Sequence, residues 1–204
     1  MSIREEYLYL TNSGKDNKEA IERLAEIIAL LRHECPWDKV QTHETLRKGM
    51  IEEAYEVVEA INNKDMANLR EELGDVLLQV VFHADLAKEE REFDLKDIIN
   101  EECEKMIRRH PHVFLQETQN NSTKSIDKVL EKWENIKVQE RGDKRVTSRM
   151  EKVPKALPAL TRANKIQKRA AESGFDWDDI SGAFDKVKEE YREVISCCQD
   201  ENKD

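Results

Sequence analysis

The strongest constraint on this chain is helical periodicity with few breakers: only six Gly and four Pro interrupt 204 residues. Ile21, Leu24, Ile28 and Leu31 recur at three- and four-residue steps, placing one apolar stripe along an amphipathic helix. That helix should stop at Cys35-Pro36, because proline disfavours helical geometry in the residue before it. After the compact Cys35-Pro36-Trp37-Asp38 turn, Thr42 is the expected N-cap of a second helix ending near Ile61. Asn62 to Asp65 then turns the chain into a third helix, Met66 to Lys88. Its first half carries a one-sided stripe, whereas Val76 to Phe82 is apolar nearly all round, so its second half is expected at the centre of the core.

A fourth helix should run from the Asp94 cap to Arg109, where His110-Pro111-His112 breaks it. Gln116 to Ser125 reads as a flexible polar loop, and Ile126, Val129, Leu130, Trp133 and Ile136 mark one face of a fifth helix. Helical tail segments follow at about Ala159 to Glu172 and Asp178 to Cys198. The expected fold class is all-α, an antiparallel helical bundle with a C-terminal helical extension. The expected organisation is a mobile leader (1–17), a helical domain (18–145), and a linker with helical tail (146–204).

Charged residues make up 38% of the chain and the formal net charge is -10. Such a balance argues against a nucleic-acid or anionic-membrane binder, which needs clustered Lys and Arg facing the polyanion. The four cysteines show no CxxC spacing, no apolar leader follows Met1, and no apolar run approaches the length of a bilayer span. The expectation is a cytoplasmic protein with reduced thiols and no membrane segment.

Two acidic stretches carry the chemistry: Glu52-Glu53-Ala54-Tyr55-Glu56 on the second helix and Glu71-Glu72-Leu73-Gly74-Asp75 on the third. Acids three residues apart sit about 60° apart around a helix and one turn apart along it, so both can reach one point. Glu53 and Glu56 flank an apolar stripe centred on Met50, Ala54, Val57, Val58 and Ile61. Glu72 and Asp75 hold the corresponding flank of Leu69, Leu73, Val76, Leu77 and Val80, while Glu52 and Glu71 point further away. The short turn makes the helices antiparallel neighbours, so packing the stripes together should bring four carboxylates to one cleft. Such charges repel unless a cation neutralises them, and hard oxygen ligands favour Mg²⁺, with Mn²⁺ as a substitute. Gly74, mid-helix at a cost of about 1 kcal/mol relative to alanine, is expected to mark close packing. Isolated Glu-x-x-Glu pairs are usually plain surface acids; two pairs on matched flanks of neighbouring helices are harder to read that way.

At these residues the sequence resembles the MazG family of all-α nucleoside triphosphate pyrophosphohydrolases, whose pattern is Glu-Glu-x-x-Glu followed by Glu-x-x-Asp. Here the pattern is Glu52-Glu53-x-x-Glu56 and Glu72-x-x-Asp75. The likeness extends over Cys35-Pro36-Trp37-Asp38, Arg108-Arg109-His110-Pro111-His112-Val113-Phe114, Lys165-Ile166-Gln167-Lys168-Arg169 and Gly174-Phe175-Asp176-Trp177. It implies a MazG-like helical bundle that hydrolyses a nucleoside triphosphate between the α and β phosphorus atoms, giving a nucleoside monophosphate and pyrophosphate. Glu53, Glu56, Glu72 and Asp75 are then the expected metal ligands, and Glu52 a water-positioning acid.

Lys105, Arg108 and Arg109 follow one face of the fourth helix, match the family's basic run and are expected to meet the polyphosphate; alternatively they are a solvated helix end. By resemblance Trp133 lines the nucleotide site, although its spacing equally suits a core position. His110 and His112 read as loop residues, and Trp37 as a packed turn anchor. In the tail, Trp177 before Lys188-Glu189-Glu190-Tyr191-Arg192-Glu193-Val194 echoes Trp37 before Glu52 to Val57, so residues 146–204 look like the start of a second repeat. The resemblance further implies a homodimer. Two alternatives remain open on sequence: a noncatalytic helical interaction module, and a relative restricted to dUTP, dCTP or phosphoribosyl-ATP.

Overall fold

The computed structural model describes residues 3–114, 125–140 and 146–200, and every regular element among them is helical. The chain forms two compact units, residues 1–111 and 112–204. The expected start of a partial repeat at 146 falls inside the second unit. The first holds α1 (Asn17–Glu34), α2 (His43–Asn63), α3 (Met66–Glu89) and α4 (Leu95–Arg109); a short α5 (Pro111–Phe114) follows.

Helix starts are fixed by side chains. Thr42 and Thr45 exchange hydrogen bonds as a capping box, the Thr42 N–H donating to Thr45 Oγ1 at 2.8 Å and the Thr45 N–H to Thr42 Oγ1 at 3.3 Å. Asp94 and Asp97 repeat the device at the start of α4, at 3.0 and 3.1 Å. At the turn between α2 and α3, Lys64 adopts a left-handed conformation (φ 57°) and Asp65 accepts from the Ala67 and Asn68 N–H groups. Only Lys64 and Asp65 separate the two helices, so α2 and α3 pack as an antiparallel hairpin.

The core gathers Ile28 of α1, Leu46 of α2 and Val81, Phe82 and Leu86 of α3, with Ile21, Leu24, Ala25, Leu78 and Leu95 packed around it. Burying a side chain such as Ile28 contributes about 2 kcal/mol. Burial on α3 falls at Val81, Phe82, Ala84, Leu86 and Ala87, further along than the expected Val76 to Phe82, and Leu77 is exposed. The shift follows from coverage: α1 and α4 flank the C-terminal half of α3, where residues 21–29, 81–88 and 94–100 line a common groove.

Arg32 ties this end of the bundle together. Buried at the end of α1, it donates from Nε and Nη2 to both Glu89 oxygens, at 3.1 and 2.5 Å, and from Nη1 to the Asp38 and Gln41 carbonyls, at 2.5 and 3.1 Å. The turn that delivers the chain into α2 is thereby pinned to α3. Trp37 within that turn is exposed, which corrects the expected packed anchor; Arg32, not the indole, holds the turn. Within the expected leader, residues Glu5–Thr11 form a 3₁₀ helix with Leu10 buried and its carbonyl accepting from Arg23 Nε at 2.6 Å.

The second unit holds α6 (Ile126–Glu140), α7 (Val146–Glu151), α8 (Ala159–Ala171) and α9 (Ile180–Asp200), with α7 packed on α8. The expected loop from Gln116 lies outside the described residues apart from Ser125, and part of the expected linker is the α7 helix. Gly174 takes φ 82° just after α8, a conformation that favours glycine. Among the described residues no helix is long and apolar enough to cross a membrane.

Candidate active site

The α2–α3 hairpin meets along an unusual seam. His43 reaches His83, the amide of Gln79 lies against Gly49, Glu53 feels the charge of Asp75, and Glu56 contacts Glu72. The α3-facing side of α2 therefore runs through Leu46, Gly49, Glu53, Val57 and Ala60. This corrects the expected packing: Ala54, Val58, Ile61, Leu73 and Leu77 of the expected seam are exposed, because α2 is rotated to bring its acids inward. The acids do not flank an apolar interface; they form part of it.

Glu53, Glu56 and Glu72 each offer an oxygen such that all three lie within 4.8 Å of one another. Glu53 and Glu72 are half-buried and Glu56 is exposed. Partial burial, followed by the charges of Glu56 and Asp75 and a hydrogen bond to Glu56, holds the Glu53 carboxyl above the usual range. Glu72 is raised in the same way, by burial and then by Glu56, Asp75 and Glu71. Glu56 thus stands between the other two, and Asp75 lies close enough to act on both electrostatically while remaining outside the tight three-oxygen group.

A cation resolves this repulsion. Oxygens on opposite sides of a hard divalent ion lie about 4 to 5 Å apart, given ligand distances of about 2.0 to 2.6 Å, so the observed spread matches such a shell. The donor set is oxygen only, with no thiolate or imidazole among the three, which suits Mg²⁺, Mn²⁺ or Ca²⁺ over softer ions.

The remaining candidates are placed differently. Glu52 points outward and pairs with Lys48 at 2.9 Å. Lys105 pairs with Glu102, and together with Arg108 it lines a cavity of about 520 Å³ bounded by Phe93, Asp97, Glu101 and Glu104, which includes none of the four central acids. Arg109 is half-buried at the end of α4. Trp133, on α6 of the second unit, lies beneath the Lys137 ammonium at 3.7 Å, and its indole N–H is buried with no hydrogen-bond partner. The His110 Nδ1–H donates to the Met106 carbonyl at 2.7 Å, a helix-ending role as expected. In the tail, Glu189 and Glu190 are paired with Lys186 at the surface.

Acid spacing does not point to Gly49 or Gln79. Gly74, expected at a close packing point, faces open space, whereas a Cβ at Gly49 would come within 2.8 Å of Gln79 Nε2. The usable signal was register: Gly49 lies four residues before Glu53 and Gln79 four after Asp75, so the two should meet one turn beyond the acids.

An all-helical chain with an oxygen-only carboxylate cluster on a two-helix hairpin defines the class of helical domains built to hold a hard divalent cation. The MazG nucleotide pyrophosphohydrolase domain matches residues 41–114, the span that contains every acid of the cluster. The chain belongs to the MazG family. It is 48% identical over 178 residues to the nucleoside triphosphate pyrophosphohydrolase of Escherichia coli, covering 86% of this chain and 66% of that protein. It is 46% identical over 175 residues to the nucleoside triphosphate pyrophosphohydrolase/pyrophosphatase MazG of Thermotoga maritima, covering 85% of this chain and 65% of that one. A crystal structure of a mazG-related protein from Thermotoga maritima is 34% identical and aligns with a TM-score of 0.49, covering 57% of this chain and 97% of that one. The chain thus spans just under two thirds of the length of the E. coli and Thermotoga maritima pyrophosphohydrolases.

Proposed function

We propose that this protein hydrolyses nucleoside triphosphates to nucleoside monophosphate and pyrophosphate, with Mg²⁺ as its natural cation and Mn²⁺ as a substitute. The observation that carries this reading is the convergence of Glu53, Glu56 and Glu72 within 4.8 Å inside a matched MazG domain. Glu53, Glu56, Glu72 and Asp75 hold the cation, two from each arm of the hairpin. When bound, a divalent cation supplies charge neutralisation for the polyphosphate and acidifies nearby water. The acids orient that assembly against a rigid pair of helices, so little reorganisation accompanies reaction. Water adds at phosphorus and releases a proton to solvent, the bridging P–O bond between the α and β phosphates breaks, and pyrophosphate departs with the electron pair. Glu52, exposed and paired with Lys48, is the acid to which this reading gives a water-positioning role. Lys105, Arg108 and Arg109 supply positive charge for the polyphosphate, and Trp133 a surface for the nucleotide.

The exposed apolar side chains of α2 and α3 support a homodimer in which that side of the hairpin is covered. The thiols of Cys35, Cys103 and Cys197 fit a reducing cytoplasm. The test is pyrophosphate release from a panel of ribo- and deoxyribonucleoside triphosphates, with Mg²⁺ and with chelator. Turnover is expected with Mg²⁺ alone, and Glu56→Ala and Asp75→Ala should lower it at least a hundredfold, about 2.7 kcal/mol of barrier, while leaving helicity intact. Unchanged turnover in both variants refutes the assignment of these acids.

A further inference from the structure

Polar groups meet at four levels of the seam between α2 and α3, Glu56 with Glu72, Glu53 with Asp75, Gly49 with Gln79, and His43 with His83, and the buried pair Leu46 and Phe82 lies between the last two. Polar groups in a helix interface are retained where each has a partner. The histidine layer satisfies itself, with a 2.7 Å nitrogen-to-nitrogen contact. The acid layers would be satisfied by the cation proposed above. The glutamine layer is not satisfied among the described residues: Gln79 Oε1 is buried and accepts no hydrogen bond from them.

Gln79 also lies close against α2. Its amide lies across the α2 backbone at Gly49, where any side chain would strike Nε2 at 2.8 Å. A glycine inside a helix is conformationally costly, and this one admits the amide to the hairpin crossing. Gln79 follows Asp75 by one turn and Gly49 precedes Glu53 by one turn, so the amide sits about 5 to 6 Å along the helix axes from the acid layer. That separation is the reach of one bridging water.

We propose that Gln79 is a positioning residue for the cation site: its Oε1 accepts a hydrogen bond from a water in the cation's shell and fixes that water relative to the acids. This assignment rests on the reading of the cluster as the cation site of the hydrolase. Gly49 serves it by leaving room for the amide.

The test compares wild type with Gln79→Met, which keeps length and volume but cannot accept this bond, and with Gln79→Glu, which keeps an acceptor oxygen. Each is loaded with Mn²⁺, and three quantities are measured: Mn²⁺ affinity by calorimetry, water exchange at the ion by oxygen-17 relaxation, and kcat and KM with the best triphosphate of the panel. In Gln79→Met, affinity should stay within about threefold, water exchange should quicken severalfold, and kcat should fall ten- to a hundredfold with KM little changed. Gln79→Glu should recover part of kcat. Unaltered exchange and kcat in a folded Gln79→Met protein assigns the side chain to packing and overturns the proposal. Loss of Mn²⁺ binding as severe as in Glu56→Ala also overturns it, because Gln79 then acts by holding the cluster together. If wild type binds Mn²⁺ but turns over no triphosphate, the reaction assigned above fails, and the exchange measurement still decides the role of Gln79.

Discussion

His43 and His83 meet edge to edge across the α2–α3 hairpin. Their Nδ1 atoms are 2.7 Å apart, their ring centroids 5.0 Å, and their planes differ by 1°. The centroid separation exceeds the nitrogen separation by one ring radius on each side, so the rings share a plane and are joined by an in-line N–H···N bond, not stacked face to face. One Nδ1 donates and the other accepts, which requires opposite tautomers. Burial, then the charge of His43, holds His83 below its ordinary value of 6.5. The unfolded chain therefore binds the proton more readily. The stability this pair contributes is complete above pH 6.5 and is lost as pH falls from there through the lowered folded value. Thermal melts from pH 7.5 to 5.5 should show a fall in wild type that is flattened in His83→Gln, and a His43→Ala/His83→Ala cycle should give a coupling of about 1 kcal/mol at neutral pH. Parallel pH profiles for wild type and His83→Gln contradict the shared-proton geometry.

The acid cluster has the opposite sign. Glu53 and Glu72 are raised above 4.5, so the folded, metal-free chain takes up protons more readily than the unfolded one. Their contribution is present at low pH and is lost as pH rises through the raised values. Both groups are open to solvent, so the effect is modest. A bound cation reverses it by displacing protons. Excess Mg²⁺ should therefore raise the melting temperature more at pH 7.5 than at pH 5, and Glu53→Gln should stabilise the metal-free protein at pH 7.5 while abolishing the Mg²⁺ increment. A Glu53→Gln protein that melts lower in chelator and still responds fully to Mg²⁺ places the cation elsewhere.

The helices and two of their caps were legible because Thr42 and Asp94 announce themselves by residue type, and the acids because their spacing repeats. Helix rotation was not. The α2 sequence offers Ala54, Val58 and Ile61 as an apolar stripe, and hydrophobicity alone turns that stripe inward. The folded hairpin instead turns in Gly49, Glu53 and Ala60, because polar partners on α3 compete for the interface. Arg32 was equally silent: a lone arginine near a helix end gives no sign that it joins Asp38, Gln41 and Glu89, the last 57 residues away. Contacts at such separations exist only once the fold does.

Arg32→Ala removes the guanidinium that bridges α1, the turn before α2 and α3. Two carbonyls lose their donor and Glu89 its partner, while the stem leaves a gap over Phe82. Glu89 is half-exposed, so water re-solvates it and the ion pair itself counts for little. The buried Asp38 carbonyl and the half-buried Gln41 carbonyl dominate, and a loss of about 2 to 3 kcal/mol is expected in chemical denaturation. Glu89→Gln, which keeps one acceptor, should cost less than half as much. Equal costs would assign the effect to charge instead of backbone satisfaction.

The exposed apolar residues of the hairpin occur at matched levels. In the register that sets Glu53 beside Asp75 and Glu56 beside Glu72, Tyr55 lies level with Leu73 and Ile51 with Leu77, all of them exposed. Side chains of this size on a helix pair exceed what a lone chain ordinarily leaves in water, and covering them with a second copy follows from two-fold closure. Tyr55→Asp combined with Leu73→Asp should convert a dimer to a monomer in sedimentation equilibrium at micromolar concentration. Because Glu53, Glu56 and Glu72 come from one chain, the monomer should still bind Mn²⁺ within about tenfold of wild type, or 1.4 kcal/mol. A wild-type protein that sediments as a monomer rules out the dimer, and a monomeric variant unable to bind Mn²⁺ shows that the partner copy completes the cation site.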